Sequence, residues 1–189
     1  MARIVISTNT SLDRVVQDPD GTEGFEHGGW FTRHGATDRE PWAELTAAEA
    51  FASTALLLGR RSDAWFASRW LGRDGAWAAR LNAMPKYVVS SHLEEPHWSN
   101  ASVIGVDEVA GLKRTLDGDI VVYASYDLSR ALLDRDLVDE VRLFVFPVIV
   151  GAGERLFGDA GAPTALALRE CRTVGEQLTF VRYDVVHPG

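Results

Sequence analysis

The 189-residue sequence predicts a single α/β domain spanning 1–189. Its expected architecture is a mostly parallel central sheet flanked by helices on both faces, with an antiparallel hairpin at the C-terminus. Three observations predict it. Short apolar runs alternate with segments whose apolar residues recur at helical spacing, the pattern of strands joined by crossover helices. One of those runs, Ala55-Leu56-Leu57-Leu58, is apolar without interruption, as a strand covered on both faces must be. The last stretch changes character. Ala165 to Thr173 and Leu178 to Val186 partly alternate apolar and polar residues around Val174-Gly175-Glu176-Gln177, which predicts a hairpin with one buried face.

The elements follow in order. Ile4-Val5-Ile6-Ser7 is a short buried strand. Leu12 to Pro41 reads as a long loop carrying Asp13, His27, Trp30 and His34. A loop of that length in a compact domain is more often functional than idle. Trp30 and Phe31 suit either a lid over the core or a flap lining a pocket. Thr46 and Glu49 form a capping-box pattern that opens a short helix from Ala47 to Ser53. The strand Ala55–Leu58 closes at Gly59, and Gly59-Arg60-Arg61-Ser62 leads into a helix with Trp65, Phe66, Arg69 and Trp70. Trp77, Ala78 and Leu81 mark another helical turn before Pro85. Lys86 to Ser90 is a strand closing in Ser90-Ser91-His92, and Ala101 to Val106 is a further strand. Glu108 to Leu116 is an amphipathic helix stopped by Asp117-Gly118. Ile120 to Tyr123 is a strand that ends in Ala124 and Ser125. A helix starts at once, with Leu128, Ala131 and Leu132 at i, i+3, i+4 spacing. After Arg135-Asp136, Val141 to Val150 is β-rich, and Asp139 and Glu140 read as structural groups at its edge.

Composition excludes several classes. Hydrophobic residues make up 46% and charged residues 24%, with a net charge of −8, as in an ordinary globular protein. The arginines are scattered, so nothing suggests a nucleic-acid partner. No stretch is long and apolar enough to span a membrane, and the N-terminus lacks a signal peptide's apolar core, so a cytoplasmic location is expected. The single cysteine, Cys171, allows neither an internal disulfide nor a Cys-based zinc site, and its neighbours Glu170 and Arg172 include no base. No Gly-x-Gly-x-x-Gly, P-loop, Gly-x-Ser-x-Gly or metalloprotease motif is present, and no metal site is expected.

What remains is three strand ends with small or anion-friendly residues: Gly59-Arg60-Arg61-Ser62, Ser90-Ser91-His92 and Ala124-Ser125-Tyr126. A strand that feeds straight into a helix leaves the helix's first N–H groups free for an anion. An arginine fork donates two hydrogen bonds to a phosphate at once. Open parallel sheets bind ligands at these carboxyl ends. The set suits one extended, phosphorylated ligand.

Leu57-Leu58-Gly59-Arg60-Arg61-Ser62, Lys86 to Ser91, the run from Asp119 through Leu128, Leu132-Leu133, Leu137-Val138-Asp139-Glu140, Pro147, Gly151-x-Gly153 and Leu156-Phe157 occur in a characteristic order. In that order and spacing the chain resembles the dihydrofolate-reductase-like family, in the branch typified by the reductase domain of bacterial riboflavin biosynthesis. Ser11-Leu12-Asp13 matches that branch's Ser-Leu-Asp-Gly. The resemblance implies a dihydrofolate-reductase fold, an NADPH site, a small-molecule substrate and a homodimer, for which the terminal hairpin and the Val141–Val150 strand leave room. It would place Gly59, Arg60, Arg61 and Ser62 on the adenosine-side phosphates and Ser90 and Ser91 by the 2′-phosphate. Ala124, Ser125, Tyr126, Asp127 and Leu128 would wrap the pyrophosphate. Thr8 and Gly151 would lie near the nicotinamide and Asp13 on the substrate side.

Departures from the family pattern are Ala124 for a usual glycine, Ser91 for a frequent arginine, His92 for threonine, and Arg14 for the glycine after Asp13. The acidic residue that holds the pterin in true dihydrofolate reductases has no evident counterpart, which argues against dihydrofolate as substrate. The expected activity is therefore NADPH-dependent hydride transfer to a pterin-, pyrimidinedione- or flavin-like heterocycle. Asp13 is the candidate proton donor or substrate anchor, and Trp30 the candidate stacking surface. The alternative is a nucleotide-binding member that has lost turnover, which Ala124, Ser91 and Arg14 favour.

Overall fold

The computed structural model describes residues 1–158 and 163–187. The strands are β1 (Arg3–Ser11), β2 (Ala55–Gly59), β3 (Lys86–Val89), β4 (Ala101–Ile104), β5 (Asp119–Tyr123), β6 (Glu140–Phe146), β7 (Ala165–Val174) and β8 (Leu178–Val186). The helices are α1 (Trp30–His34), α2 (Arg39–Ala52), α3 (Arg60–Trp70), α4 (Ala76–Ala83), α5 (Val109–Thr115) and α6 (Tyr126–Leu133). The strands form one eight-stranded sheet in the order β4-β3-β2-β5-β1-β6-β8-β7. The six strands from β4 to β6 run parallel, and β8 and β7 complete the sheet antiparallel.

The central strands are apolar in unbroken runs because both sheet faces are covered. Ile4 and Ile6 of β1, Leu57 of β2 and Ile120 and Val122 of β5 pack under α5 and α6, against Val109, Leu128 and Leu132. The alternate residues Val5, Leu56, Leu58 and Val121 pack under α2, α3 and α4, against Ala50, Ala67 and Leu81. A third apolar cluster joins Trp30 and Phe31 of α1 to Phe144 and Phe146 of β6 and Phe180 of β8. The helices therefore lie on both faces, as the sequence predicts.

Several boundaries differ from the sequence reading. β1 continues through its polar residues to Ser11 because β6 pairs with it from Val5↔Glu140 to Ser11↔Phe146. The segment Leu12–Pro41 is not all loop. It contains α1 and the start of α2, whose first turn accommodates Pro41 because a first-turn N–H has no helical partner to lose. Thr46 is mid-helix and caps nothing. Its hydroxyl donates to the Trp42 carbonyl one turn back, at 2.8 Å. β6 ends at Phe146 rather than Val150, and Leu12 N–H then bonds the Val148 carbonyl at 2.8 Å. The buried face predicted for the hairpin belongs to β8. β7 is the outermost strand, and Val174 is its one buried residue.

Asp139 and Glu140 are structural. The Asp139 carboxylate accepts the Ile4 N–H at 2.7 Å, and fully buried Glu140 is paired with Arg3 and Arg142. Burial opposes the charge on Glu140, but the guanidinium of Arg142 and its neighbours hold the carboxyl below its usual range.

Candidate functional site

A cleft of about 580 Å³ opens at the carboxyl ends of β1, β2 and β5, within the usual size of a ligand site. Its two ends differ in chemistry. At one end, β2 runs directly into α3 and β5 into α6. Neither helix has a side-chain cap, so both present unpaired first-turn N–H groups. One hydroxyl joins the two junctions. Ser125 Oγ accepts the Gly59 N–H at 3.0 Å and lies 2.7 Å from Ser62 Oγ.

The backbone is bent sharply to achieve this. Ala124 and Ser125 both sit at φ +51°, in the left-handed region that glycine adopts freely and other residues only at a cost. Strain of this kind persists where surrounding structure enforces it, and it concentrates at functional sites. Arg61 Nη2 reaches across from α3, donating to the Tyr126 hydroxyl at 2.6 Å and pairing with Asp127 at 3.2 Å. The Arg61 guanidinium also lies 5.1 Å from the Tyr126 ring centre. The Arg61 charge, two helix N-termini and the small residues Gly59, Ala124 and Ser125 together suit an anion.

The other end is aromatic. Phe31, Trp42, Phe66, Trp70, Trp77 and Phe144 line it. Trp42 packs edge-on against Trp77 at 6.2 Å and against Phe144 at 6.4 Å. Its indole N–H donates to Asn9 Oδ1 of β1 at 2.9 Å. Such a compartment excludes water and presents flat faces to a planar ring.

The predicted residues divide accordingly. Thr8, Gly59, Arg60, Arg61 and Ser62 line the cleft, as do Ala124, Ser125, Tyr126, Asp127 and Leu128. Ser90, Ser91 and Gly151 do not. Ser90 follows β3 on the same edge of the sheet, and its hydroxyl accepts the His92 and Leu93 N–H groups in a local turn. The Gly151 N–H is bound to Asp13 at 2.9 Å.

The two candidate catalytic residues are displaced from the cleft. Asp13 Oδ1 lies 2.7 Å from Ser11 Oγ, a donor to it, and accepts the Val150 N–H at 3.0 Å, while Oδ2 takes Gly151. Burial opposes its charge, but these hydrogen bonds hold the carboxyl below its ordinary value, which ill suits a proton donor at neutral pH. Asp13 is a clasp between two loops. Trp30 is 1% exposed, donates its indole N–H to the Gln17 carbonyl at 3.0 Å and packs on Phe146. Its ring faces core, not ligand space.

The reading from sequence missed Trp42, Phe144 and Tyr123. A signal was present for the first: Trp42, Thr46 and Glu49 recur at i, i+4, i+7 along α2, so they share one helix face. Among the described residues no cluster of His, Cys, Asp and Glu could hold a metal ion, and no helix is long and apolar enough to cross a membrane.

Comparison with known proteins agrees with this fold. Residues 2–180 match the RibD C-terminal domain. A putative riboflavin biosynthesis protein from Shewanella sp. PV-4 superposes with a TM-score of 0.68 at 20% identity, over 99% of this chain and 100% of that one. A pyrimidine reductase-like protein from Corynebacterium diphtheriae gives 0.62 at 16% identity, over 99% and 93%. RibD of Acinetobacter baumannii gives 0.60 at 16% identity, over 98% of this chain and 58% of that one. At these identities the likeness establishes the fold. An uncharacterized protein of Bacillus subtilis (strain 168), YyaP, is 32% identical over 78 residues, a span of 41% of this chain and 42% of YyaP. With its dihydrofolate-reductase-like sheet and a family match over nearly its full length, the chain belongs to the RibD C-terminal domain family.

Proposed function

We propose that this is a cytoplasmic NADPH-dependent reductase of a small planar heterocycle of pterin, pyrimidinedione or flavin type. One observation carries the reading: an anion cradle and an aromatic compartment share a single cleft. A dinucleotide that ends in a flat ring, together with a flat substrate, requires that combination. Family membership and the riboflavin-biosynthesis and pyrimidine-reductase names of the solved relatives support it.

When bound, the dihydronicotinamide would supply the hydride. The protein's own task is to bind, orient and dry. The first-turn N–H groups of α3 and α6 would receive phosphate oxygens, with Ala124 leaving the backbone accessible. Arg60 and Arg61, at the start of α3, and Arg135 are the basic residues lining the cleft, and the first two would take up a 2′-phosphate, the role first assigned to Ser90 and Ser91. Thr8 and Asn9 of β1 also line the cleft, and Asn9 holds the Trp42 indole, so they would be at hand for the reacting rings.

Tryptophan fluorescence should be quenched by NADPH at micromolar concentrations. Arg61→Ala is expected to weaken binding about tenfold and to flatten its dependence on salt. Absence of binding by both NADPH and NADH at millimolar concentration would refute the proposal.

A second reading, nucleotide binding without turnover, is favoured by the finding that neither Asp13 nor Trp30 reaches the cleft. NADPH oxidation measured against pterins, pyrimidinediones and quinones separates the two: turnover with any of them excludes the second reading. The exposed outer strand β7 also supports a homodimer. β6 lies between β1 and β8 and has no free edge, so of the two segments expected to leave room for an interface, the hairpin rather than Val141–Val150 is favoured.

A further inference from the structure

The charged side chains lining the cleft are sorted by sign. Among the described residues the basic ones are Arg60 and Arg61, at the start of α3, and Arg135, just beyond α6. All three sit on, or directly after, the two helices that make the charged end. One lining carboxylate, Asp127, is paired there with Arg61. The others, Asp18, Asp20 and Glu23, come from the loop between β1 and α1.

That loop is fastened to the aromatic end at two points. The Pro19 carbonyl accepts the Phe31 N–H at 3.0 Å. Asp20 pairs with Arg69 at 2.7 Å, and the Arg69 guanidinium lies 3.9 Å from the ring centre of Trp65, a wall of the cleft. Arg69 itself does not line the cleft, nor does Arg39, whose guanidinium lies 4.2 Å from the Phe31 ring centre. The buried Asp18 carboxylate accepts the N–H groups of Glu23 and Phe25, each at 3.0 Å. Glu23 is exposed at the mouth and acts electrostatically on Arg61. A phosphate on the substrate would therefore meet carboxylates at the aromatic end and no basic group. A cation would meet opposite charge and the negative faces of the rings.

The supply of protons points the same way. No His, Lys or Cys is among the lining residues, and Asp13 is held outside the cleft. Asp18 and Asp20 are engaged as acceptors. The Tyr123 hydroxyl is directed at Glu49, and burial holds that phenol well above its usual value, so it keeps its proton. An acceptor with a C=N⁺ bond needs no acid. The C4–H bond of the dihydronicotinamide breaks with its electron pair, a C–H bond forms at the acceptor carbon, and the π pair of C=N⁺ moves onto nitrogen and cancels its charge.

We propose that the aromatic end of this cleft takes a cationic, phosphate-free acceptor with a C=N⁺ bond, and that Asp18 and Glu23 set the charge preference. The hydride step rests on the reductase reading. The charge preference can be measured without it.

The probes are 1-methylquinolinium, quinoline and quinoline-4-carboxylate, one bicyclic ring system in three charge states at neutral pH. Binding is followed by calorimetry with excess 2′,5′-ADP to fill the charged end. Wild-type protein should bind 1-methylquinolinium at least about tenfold more tightly than quinoline, and quinoline-4-carboxylate most weakly. High salt should narrow the difference. Glu23→Gln, an exposed substitution that leaves the fold intact, should lower 1-methylquinolinium affinity about threefold, leave quinoline unchanged and not weaken 2′,5′-ADP. Equal affinity for the cation and quinoline, tighter binding of the carboxylate, no binding of any probe, or an unchanged 1-methylquinolinium affinity in Glu23→Gln overturns the inference. The predicted order of probes without any binding of 2′,5′-ADP, NADPH or NADH overturns the reductase reading alone.

Discussion

Ala124 carries a methyl group into backbone space that glycine normally occupies, and it remains at φ +51°. The left-handed conformation costs an L-residue about 1–2 kcal/mol, whereas glycine loses about 0.5–1 kcal/mol through its freer unfolded chain. The first effect is larger. Ala124→Gly should therefore stabilise the protein by about 0.5–1 kcal/mol, read as a higher urea midpoint with an unchanged slope. A lower midpoint would mean that the turn is not strained. The family resemblance, with its usual glycine at this turn, marked Ala124 as the unusual position; residue types were a poorer guide elsewhere. They misdirected the reading of Asp13 and Trp30. Their types suit catalysis and stacking, but their partners, Val150, Gly151, Gln17 and Phe146, include residues more than a hundred positions away, and no local pattern encodes them.

At the scale of elements, strands were more legible than helix starts. The apolar runs of β1, β2 and β5 announced themselves because burial on both faces leaves no polar alternation. The start of α2 was obscured by Thr46 and Glu49, whose spacing imitates a capping box inside a helix that begins at Arg39. The residue at that boundary, Asp38, is turned to another use. Its carboxylate accepts the N–H groups of Glu176, Gln177 and Leu178 at 2.7, 3.1 and 2.9 Å, tying α2 to the tip of the β7–β8 hairpin. Burial opposes its charge, but those three N–H groups hold its carboxyl below the ordinary value. A depressed native value adds stability that is complete above the unfolded carboxyl's range and disappears as pH falls through the native one. Asp38→Asn should cost about 2 kcal/mol at pH 7. The wild-type and variant stabilities, measured by urea unfolding, should converge below about pH 4. A constant difference across that range would mean that the charge on Asp38 is irrelevant.

For the molecule as a whole, the alternation of elements prescribed a parallel sheet with a cleft at its carboxyl edge, and the sheet order confirms that arrangement. The cleft's aromatic end was not readable, because it is assembled from α1, α2, α3, α4 and β6, elements brought together only by the finished fold. The opposite border of the molecule is β7, with Leu166 and Leu168 at 41% and 58% exposure on a strand paired on one side only. Unpaired apolar edges invite association. A dimer is expected by light scattering at micromolar concentration, and Leu168→Lys should shift it toward monomer without lowering the monomer's NADPH affinity. A wild-type protein that is monomeric throughout that range would remove β7 from consideration.

The Ser125 hydroxyl ties the starts of α3 and α6 through Gly59 and Ser62, which lie more than sixty residues away in the chain. The charged half of the cleft is thereby a single jaw with its spacing preset, while the aromatic half is a mosaic of side chains on separate mounts. Pieces of the mosaic can therefore be replaced one at a time while the spacing of the jaw stays as Ser125 sets it.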